Sequence, residues 1–341
     1  MMKDFLFGKT LNELVEIASR LSLPRFAAKQ IADWLYKKRV KTIDEMTNLS
    51  LENRKKLAEE FDMGTSFPEK SQTSNDGTKK YLFASRQKQT VFVESVYIPE
   101  PDRATLCVSS QAGCKMACKF CMTGRQSFQL NLSAGEILNQ ICNIPESDKL
   151  TNVVYMGMGE PFDNIENVLK SLEIITSDYG FAWSPKRVTV STIGIISAMT
   201  EFINKSKCHL AVSLHNPFDD ERLQLMPVQK KYPVKEIIKT LTAYDFSHQR
   251  RLSFEYIMFD GINDTPRHSR ELARLLQGLD CRINLIRFHQ IPDNDLRPSK
   301  DETIEKFQKY LNDKNILTTL RSSRGTDILA ACGMLSTKEM N

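Results

Sequence analysis

"SSQAGCKMACKFCMTG", residues 109–124, puts Cys114, Cys118 and Cys121 into eight positions. Thiols so closely spaced ask for a ligand, because unrelated cysteines in a reduced chain do not cluster in this way. A structural zinc ion needs four donors, and the local spacing offers no fourth; His209 and His215 lie far downstream. An iron-sulfur cube (4Fe-4S) held by three thiolates leaves one iron without a protein ligand. An open position is how a metal site accepts a substrate instead of only holding a fold. The missing fourth cysteine is therefore the informative feature.

Outward from this loop, β-rich runs alternate with helical stretches. "TLCVSS", "NVVYMGMG", "RVTVST", "HLAVSLH", "LSFEYIMF", "RINLIRF" and "NILTTLR" read as strands, and 133–141, 165–175, 233–244, 266–277 and 301–311 as helices. Serial units of this kind predict an α/β protein, a partial (β/α)6 barrel whose functional residues gather at the carboxyl ends of parallel strands. Upstream, "LNELVEIASRLSLPRFAAKQIADWLYKKR" has apolar residues three and four apart, so residues 10–62 read as a small helical unit. "NDGT", residues 75–78, signals a turn, and "KYLFAS" and "VFVESVYI" form a hairpin after the helices. We expect units at 1–90, 91–320 and 321–341.

The chain has 341 residues, of which 41% are hydrophobic, enough for one large domain with a satellite. It shows no signal peptide and no run of apolar residues fit to cross a membrane, so a cytoplasmic protein without a membrane partner is expected. In that setting the eight cysteines read as thiols, metal ligands or catalytic groups, not as a disulfide framework. The +5 net charge permits a nucleic-acid partner without requiring one. Arg20, Arg25, Lys29, Lys37, Lys38, Arg39 and Lys41 stand against Asp33 alone, with Phe26, Trp34 and Tyr36 interleaved. A phosphate-facing surface and a solvated helix face over a small core both account for that stretch.

Other polar groups sit where a barrel mouth would collect them. "GMGEP", residues 157–161, follows a strand; its glycines let backbone approach a ligand, and Glu160 suits an ammonium. Ser191, Ser213 to His215, and His289 also lie at strand ends.

The C-x-x-x-C-x-x-C spacing, with Phe120 before the last cysteine and a strand ahead, resembles the radical S-adenosylmethionine superfamily. That resemblance implies an open iron chelated by the amino and carboxylate groups of S-adenosylmethionine, whose sulfonium bond breaks to give a 5'-deoxyadenosyl radical. With "RATLCVSSQAGC" and "RGTDILAACG", the chain resembles the dual-specificity adenine carbon-2 methyltransferases of the RlmN type, with the chloramphenicol-florfenicol resistance methyltransferase as their nearest relative. The substrates so implied are an adenosine in the peptidyl transferase region of 23S rRNA and one 3' of the anticodon in tRNA. The resemblance also implies an RNA-binding N-terminal domain, an electron donor such as a flavodoxin or ferredoxin system, and contact of S-adenosylmethionine with Gly159, Glu160, Ser191, Ser213, Leu214 and His215. At His289 the better-known members carry asparagine; its side chain too can hydrogen-bond, and ligand contact is expected.

Carbon 2 of adenine lies between two ring nitrogens and is too electron-poor to attack a sulfonium methyl. A thiolate can take the methyl first. The resemblance identifies Cys332, in the C-terminal loop, as this S-methylcysteine carrier, and Cys107 as the thiol that frees the product through a transient disulfide with it. Glu94 shares a strand face with Phe92, Val96 and Ile98, where burial would suit it as proton acceptor. Cys142, Cys208 and Cys281 match no motif and read as core or surface thiols. Arg321 and Arg324 fit either RNA phosphate or plain surface, and residues 322–334 are expected to move. The alternatives are a carbon-8 adenine rRNA methyltransferase conferring antibiotic resistance, a radical activating enzyme, and a non-catalytic iron-sulfur protein.

Overall fold

The computed structural model describes residues 3–247 and 250–337. Its first unit is closed by a parallel ladder of β1 (Asp4–Phe5) and β2 (Phe61–Asp62). Between them, α1 (Leu11–Arg20) buries Leu14, Ile17 and Ala18, the stripe that its periodicity predicts. Thr10 caps it: the hydroxyl accepts from Glu13 N, and the Glu13 carboxylate accepts from Thr10 N. α2 (Ala27–Ala32) runs into a π-helical turn at Asp33–Lys38, which stops at left-handed Arg39, and α3 (Leu51–Glu60) follows. The basic stretch divides. Tyr36 is core, its hydroxyl donating to Lys9 O, and Arg39 and Lys41 hold Asp148 and Asn143 of the barrel. Phe26 stays exposed beside Arg25 and Lys29.

The remaining chain builds one sheet. β3 (Lys70–Thr73), β4 (Lys79–Ala84), β5 (Phe92–Pro99) and β6 (Ala104–Cys107) form an antiparallel meander. A small ladder of β7 (Gln111–Ala112) and β8 (Leu130–Asn131) brackets the cysteine loop. From β6 the sheet continues parallel through β9 (Asn152–Tyr155), β10 (Val188–Thr192), β11 (His209–Ser213), β12 (Leu252–Met258), β13 (Arg282–Arg287) and β14 (Leu317–Leu320). β14 and β3 are its two ends, so the barrel is open.

The crossovers carry α4 (Ala134–Cys142), α5 (Ile165–Thr176), α6 (Ile196–Lys205), α7 (Asp219–Leu225) with α8 (Val234–Leu241), α9 (Pro266–Leu275) and α10 (Asp301–Asp313). Six crossovers joining seven parallel strands are the (β/α)6 barrel that the alternation predicts. Strands covered on both faces can read as apolar runs, as Leu210–Val212 of β11 does, whereas β10 alternates valine with threonine and serine. The unit boundary expected after residue 90 falls inside the meander, because β4 and β5 pair over six positions. The hairpin's sequence defines its turn but not which neighbour takes its free edge. That edge went to the barrel.

Candidate active site at the barrel mouth

Strand register decides which side chains face inward. The Tyr155 hydroxyl bonds Ser171 on α5, so Tyr155 points to the helical layer and Met156 to the interior. Cys107 pairs with Val154, two residues before Met156, and therefore faces inward. Val190 pairs with Tyr155, Ser191 with Ala211, Ser213 with Glu255, Glu255 with Asn284, and Asn284 with Thr319. The interior face thus carries Cys107, then Met156 and Ser191, then Ser213, Glu255, Asn284 and Thr319, on successive levels. The residue two beyond Thr319, Arg321, spans that space, donating to Glu255 Oε1 at 3.2 Å and to Met156 Sδ at 3.3 Å.

The cysteine loop rides on the first parallel strand. Ala117 is left-handed at φ 53°, and Lys119 N donates to Leu225 O at 3.0 Å. Burial pushes the Cys114 thiol up to about 12, and Cys118 well above its ordinary value; neighbouring cysteines add repulsion. Such thiols ionise together only with positive charge among them. No three His, Cys, Asp or Glu side chains converge as a single-ion site among the described residues. The donor set fits a cluster touching three separate thiolates with one position to spare.

Across the mouth, Glu160 is buried and ordered by three donors: Thr192 Oγ1 at 2.6 Å, Ile193 N at 2.9 Å and Phe162 N at 3.0 Å. Burial nevertheless raises its pKa to about 7, so an arriving ammonium would find a poised partner. Gly159 must be glycine: its φ is +93°, and a Cβ there would lie 2.4 Å from Gln111 Cβ. Gln111 Oε1 in turn accepts from Glu160 N at 2.8 Å. Leu214 is buried, and His215 is left-handed at φ 57°. Burial and Arg222 push the His215 pKa down to about 3; Ile257 N donates to its Nδ1 at 3.1 Å, leaving the proton on Nε2. Its ring meets Phe120 edge-on at 4.8 Å, which couples it to the cysteine loop.

The C-terminal segment closes the mouth. Met122 N donates to Gly333 O at 2.7 Å and Thr123 Oγ1 to Leu335 O at 2.7 Å, so Cys332 stands beside the cysteine loop. Cys332 is solvent-exposed yet crowded, which raises its pKa against the pull of Arg321. Cys107, fully enclosed, is pushed up to about 12, with Arg321 again opposing. Glu94 is buried as its face requires, but its company differs from the apolar neighbours expected. Lys80 Nζ lies 3.2 Å from Oε1, and Ser336 N donates to Oε2 at 2.9 Å. His289 meets Ser323 Oγ at 2.8 Å through Nε2, so a ligand must use Nδ1 or displace that bond. Cys142, Cys208 and Cys281 are buried in the core.

Two participants escaped sequence reasoning. Arg222, in "DDERLQL", looks like a surface residue but is fully buried, donating to the carbonyls of Leu214 at 2.9 Å and of Ile193 and Ser213 at 3.1 Å. It braces the strand ends that carry Ser213 and His215. Glu255 was visible only as the lone acid in an otherwise uncharged strand.

The comparisons with known proteins agree with this geometry. The radical SAM superfamily profile matches residues 108–274, and the ribosomal RNA large subunit methyltransferase N-terminal domain profile matches 5–63. The chain is 57% identical over 335 residues to the probable dual-specificity RNA methyltransferase RlmN of Phocaeicola vulgatus, covering 98% of this chain and 95% of that protein. It is 42% identical over 336 residues to the dual-specificity RNA methyltransferase RlmN of Syntrophus aciditrophicus, covering 97% and 96%. A crystal structure of a radical SAM methyltransferase from Sphaerobacter thermophilus superposes with a TM-score of 0.90 at 37% identity, covering 97% of this chain and 99% of that one. An open barrel with a three-cysteine loop, behind an N-terminal domain of this type, places the chain in the RlmN family of dual-specificity RNA methyltransferases, within the radical SAM superfamily.

Proposed function

We propose that this chain methylates carbon 2 of adenosines in 23S rRNA and tRNA, using Cys332 as methyl carrier. The observation that carries this reading is the meeting of two distant thiols: Cys107 faces the barrel interior, Cys332 is pinned beside the cysteine loop, and Arg321 acts on both. Cys114, Cys118 and Cys121 hold a 4Fe-4S cluster. When bound, the cluster and S-adenosylmethionine supply the methyl group and a 5'-deoxyadenosyl radical.

The chain's own residues do the rest. Glu160 orients the cofactor's ammonium, with Gly159, Ser191, Ser213, Leu214, His215 and His289 completing its site. The positive Arg321 guanidinium favours the Cys332 thiolate, which accepts the methyl with its own electron pair. Once the carrier is joined to the base, Glu94 is the candidate acceptor for the ring proton. Cys107 frees the product by forming a disulfide with Cys332, and a reductant restores both thiols. The N-terminal unit, with Phe26, Arg25 and Lys29 outward, grips RNA. Among the described residues no helix is long and apolar enough to cross a membrane. We assign the chain to the cytoplasm, where its RNA and a flavodoxin or ferredoxin donor would meet it.

The test is anaerobic reconstitution with iron and sulfide, then incubation with rRNA and tRNA fragments and labelled S-adenosylmethionine. The expected product is 2-methyladenosine after digestion. Recovery of 8-methyladenosine instead would overturn the carbon-2 assignment. Cys107→Ala should trap protein on RNA, and its absence in a variant that still methylates Cys332 would refute the resolving role.

A further inference from the structure

Glu255 is 3% exposed and faces the barrel interior, yet only half of its carboxylate is engaged. Oε1 accepts from Asn284 Nδ2 at 2.8 Å and from Arg321 Nη2 at 3.2 Å, while Oε2, also buried, has no partner among the described residues. An enclosed carboxylate oxygen without a donor is costly, and natural structures seldom leave one unless a ligand supplies the donor. Its position says which ligand. The Arg321 guanidinium links Glu255 to Met156 Sδ on the opposite wall, and the Met156 amide donates to the Cys107 thiol. Glu160 follows β9, and its donors Thr192 and Ile193 come from the end of β10 and the residue after it, three and two strands from β12 where Glu255 sits. The vacant oxygen is tied to the two thiols through Arg321, whose guanidinium lies within electrostatic reach of Glu255, Cys332 and Cys107, and Cys332 in turn feels Glu255.

We propose that Glu255 Oε2 is the acceptor for the exocyclic amine of an adenine held in the mouth, that of the target nucleotide. The assignment rests on the adenine-methylating function proposed above. Beside carbon 2, adenine's Watson–Crick edge presents N1, an acceptor, and then the amine, its sole donor. An ionised carboxylate only accepts, so it selects for an amine and repels the carbonyl that inosine carries at the same place. Arg321 and Asn284 act as positioning residues: by occupying Oε1 they aim Oε2 at the base. S-adenosylmethionine carries the same amine, so the two sources must be separated by experiment.

Binding to the anaerobically reconstituted enzyme provides that separation without requiring turnover. RNA fragments with adenosine, inosine or purine riboside at the target position are compared, and S-adenosylmethionine affinity is measured in parallel. For the wild-type enzyme, adenosine should bind about tenfold more tightly than purine riboside, and inosine should bind more weakly still. In Glu255→Gln the amide presents either a donor or an acceptor, and discrimination between adenosine and inosine should shrink to about threefold or less, with iron content and S-adenosylmethionine affinity unchanged. Full discrimination in that variant would overturn the proposal. A fall in S-adenosylmethionine affinity with RNA discrimination intact would also overturn it, by giving the amine to the cofactor. Should the variant not fold, equal binding of all three RNAs by the wild-type enzyme overturns it just as well. Amine-dependent RNA binding without any methyl transfer would defeat the proposed function and leave this contact standing.

Discussion

The cysteine loop and the C-terminal segment bring sulfur to the same mouth, but they are held by different means. The loop draws its three thiols from consecutive chain, with the β7–β8 ladder beside it and the first parallel strand before it. The segment at 321–337 has one short 3-10 turn, Thr326–Ile328, followed by left-handed Leu329 at φ 50°. Its anchors are remote. Asp327 accepts from Ser74 Oγ at 2.5 Å and Asn75 N at 3.1 Å, Asp76 accepts from Gly325 N at 3.0 Å, and Gln126 Nε2 reaches Ser336 O. Local order costs little to keep, whereas a span tied by scattered hydrogen bonds can open one anchor at a time. The carrier role proposed for Cys332, which would meet S-adenosylmethionine twice and then a base, calls for the second kind of material.

The largest test of this contrast removes one sulfur from each region. Cys118→Ala and Cys332→Ala should both lower methyl transfer by more than about a thousandfold. They should part on metal analysis: the first loses iron and sulfide, and the second retains them. If Cys332→Ala also emptied the cluster, the two regions would form one structural unit and the contrast would collapse.

Glycine substitutions probe rigidity. Gly159→Ala forces a Cβ at a φ of +93° to within 2.4 Å of Gln111, whereas at Gly333 (φ +82°) the nearest atom is Phe120 O at 3.1 Å. Equilibrium binding of S-adenosylmethionine should weaken by about a hundredfold in Gly159→Ala, from strain of about 2–3 kcal/mol. The rate of Cys332 methylation in Gly333→Ala should fall by only about tenfold, since the segment can shift. Equal effects would mean that both regions are equally stiff.

Acid should act first on the fixed side. His215 titrates near 3 in the fold against an ordinary 6.5, so the unfolded chain takes up its proton first. Its contribution is complete above pH 6.5 and is lost as pH falls toward 3, by up to about 1.4 kcal/mol per unit. Urea unfolding of the apoprotein at pH 7 and pH 5 should show this slope, and His215→Gln should flatten it; an unchanged slope would remove His215 as the sensor. On the side of the C-terminal segment, Asp76 titrates at about 2 instead of 3.8, so its tie to Gly325 persists above pH 3.8 and is lost as pH falls through 2. The smallest effect belongs to Asp327→Ala. Limited proteolysis within 321–337 should quicken a few-fold while iron content holds, and unaltered cleavage would show that this anchor does not restrain the segment.

Much of the site could be read early because its signals are local. The cysteine spacing, "GMGEP" and the polar strand ends Ser191, Ser213 and His215 all reach the mouth. Glu94 was placed on the right face, but its ion pair with Lys80 depends on the β4–β5 register, which strand propensity does not fix. Arg222 sits in a charged helix typical of a surface, and only the return of α7 over the strand ends buries it. "LSFEYIMF" reads as a strand without saying which way Glu255 turns. That direction follows from pairing with Ser213 and Asn284 on either side.

By itself, then, the sequence determined the alternation of strands and helices and the three-thiol loop, since periodicity and spacing are properties of neighbouring residues; Cys332 was singled out only by the resemblance that "RGTDILAACG" carries. Tertiary structure alone decided that Cys107, Arg321 and Glu255 share one interior, that the meander joins the barrel, and that the segment bearing Cys332 is pinned to both the β3–β4 turn and the cysteine loop. These are contacts between residues tens to hundreds of positions apart. They exist only once the sheet has curved and its register has chosen an inside.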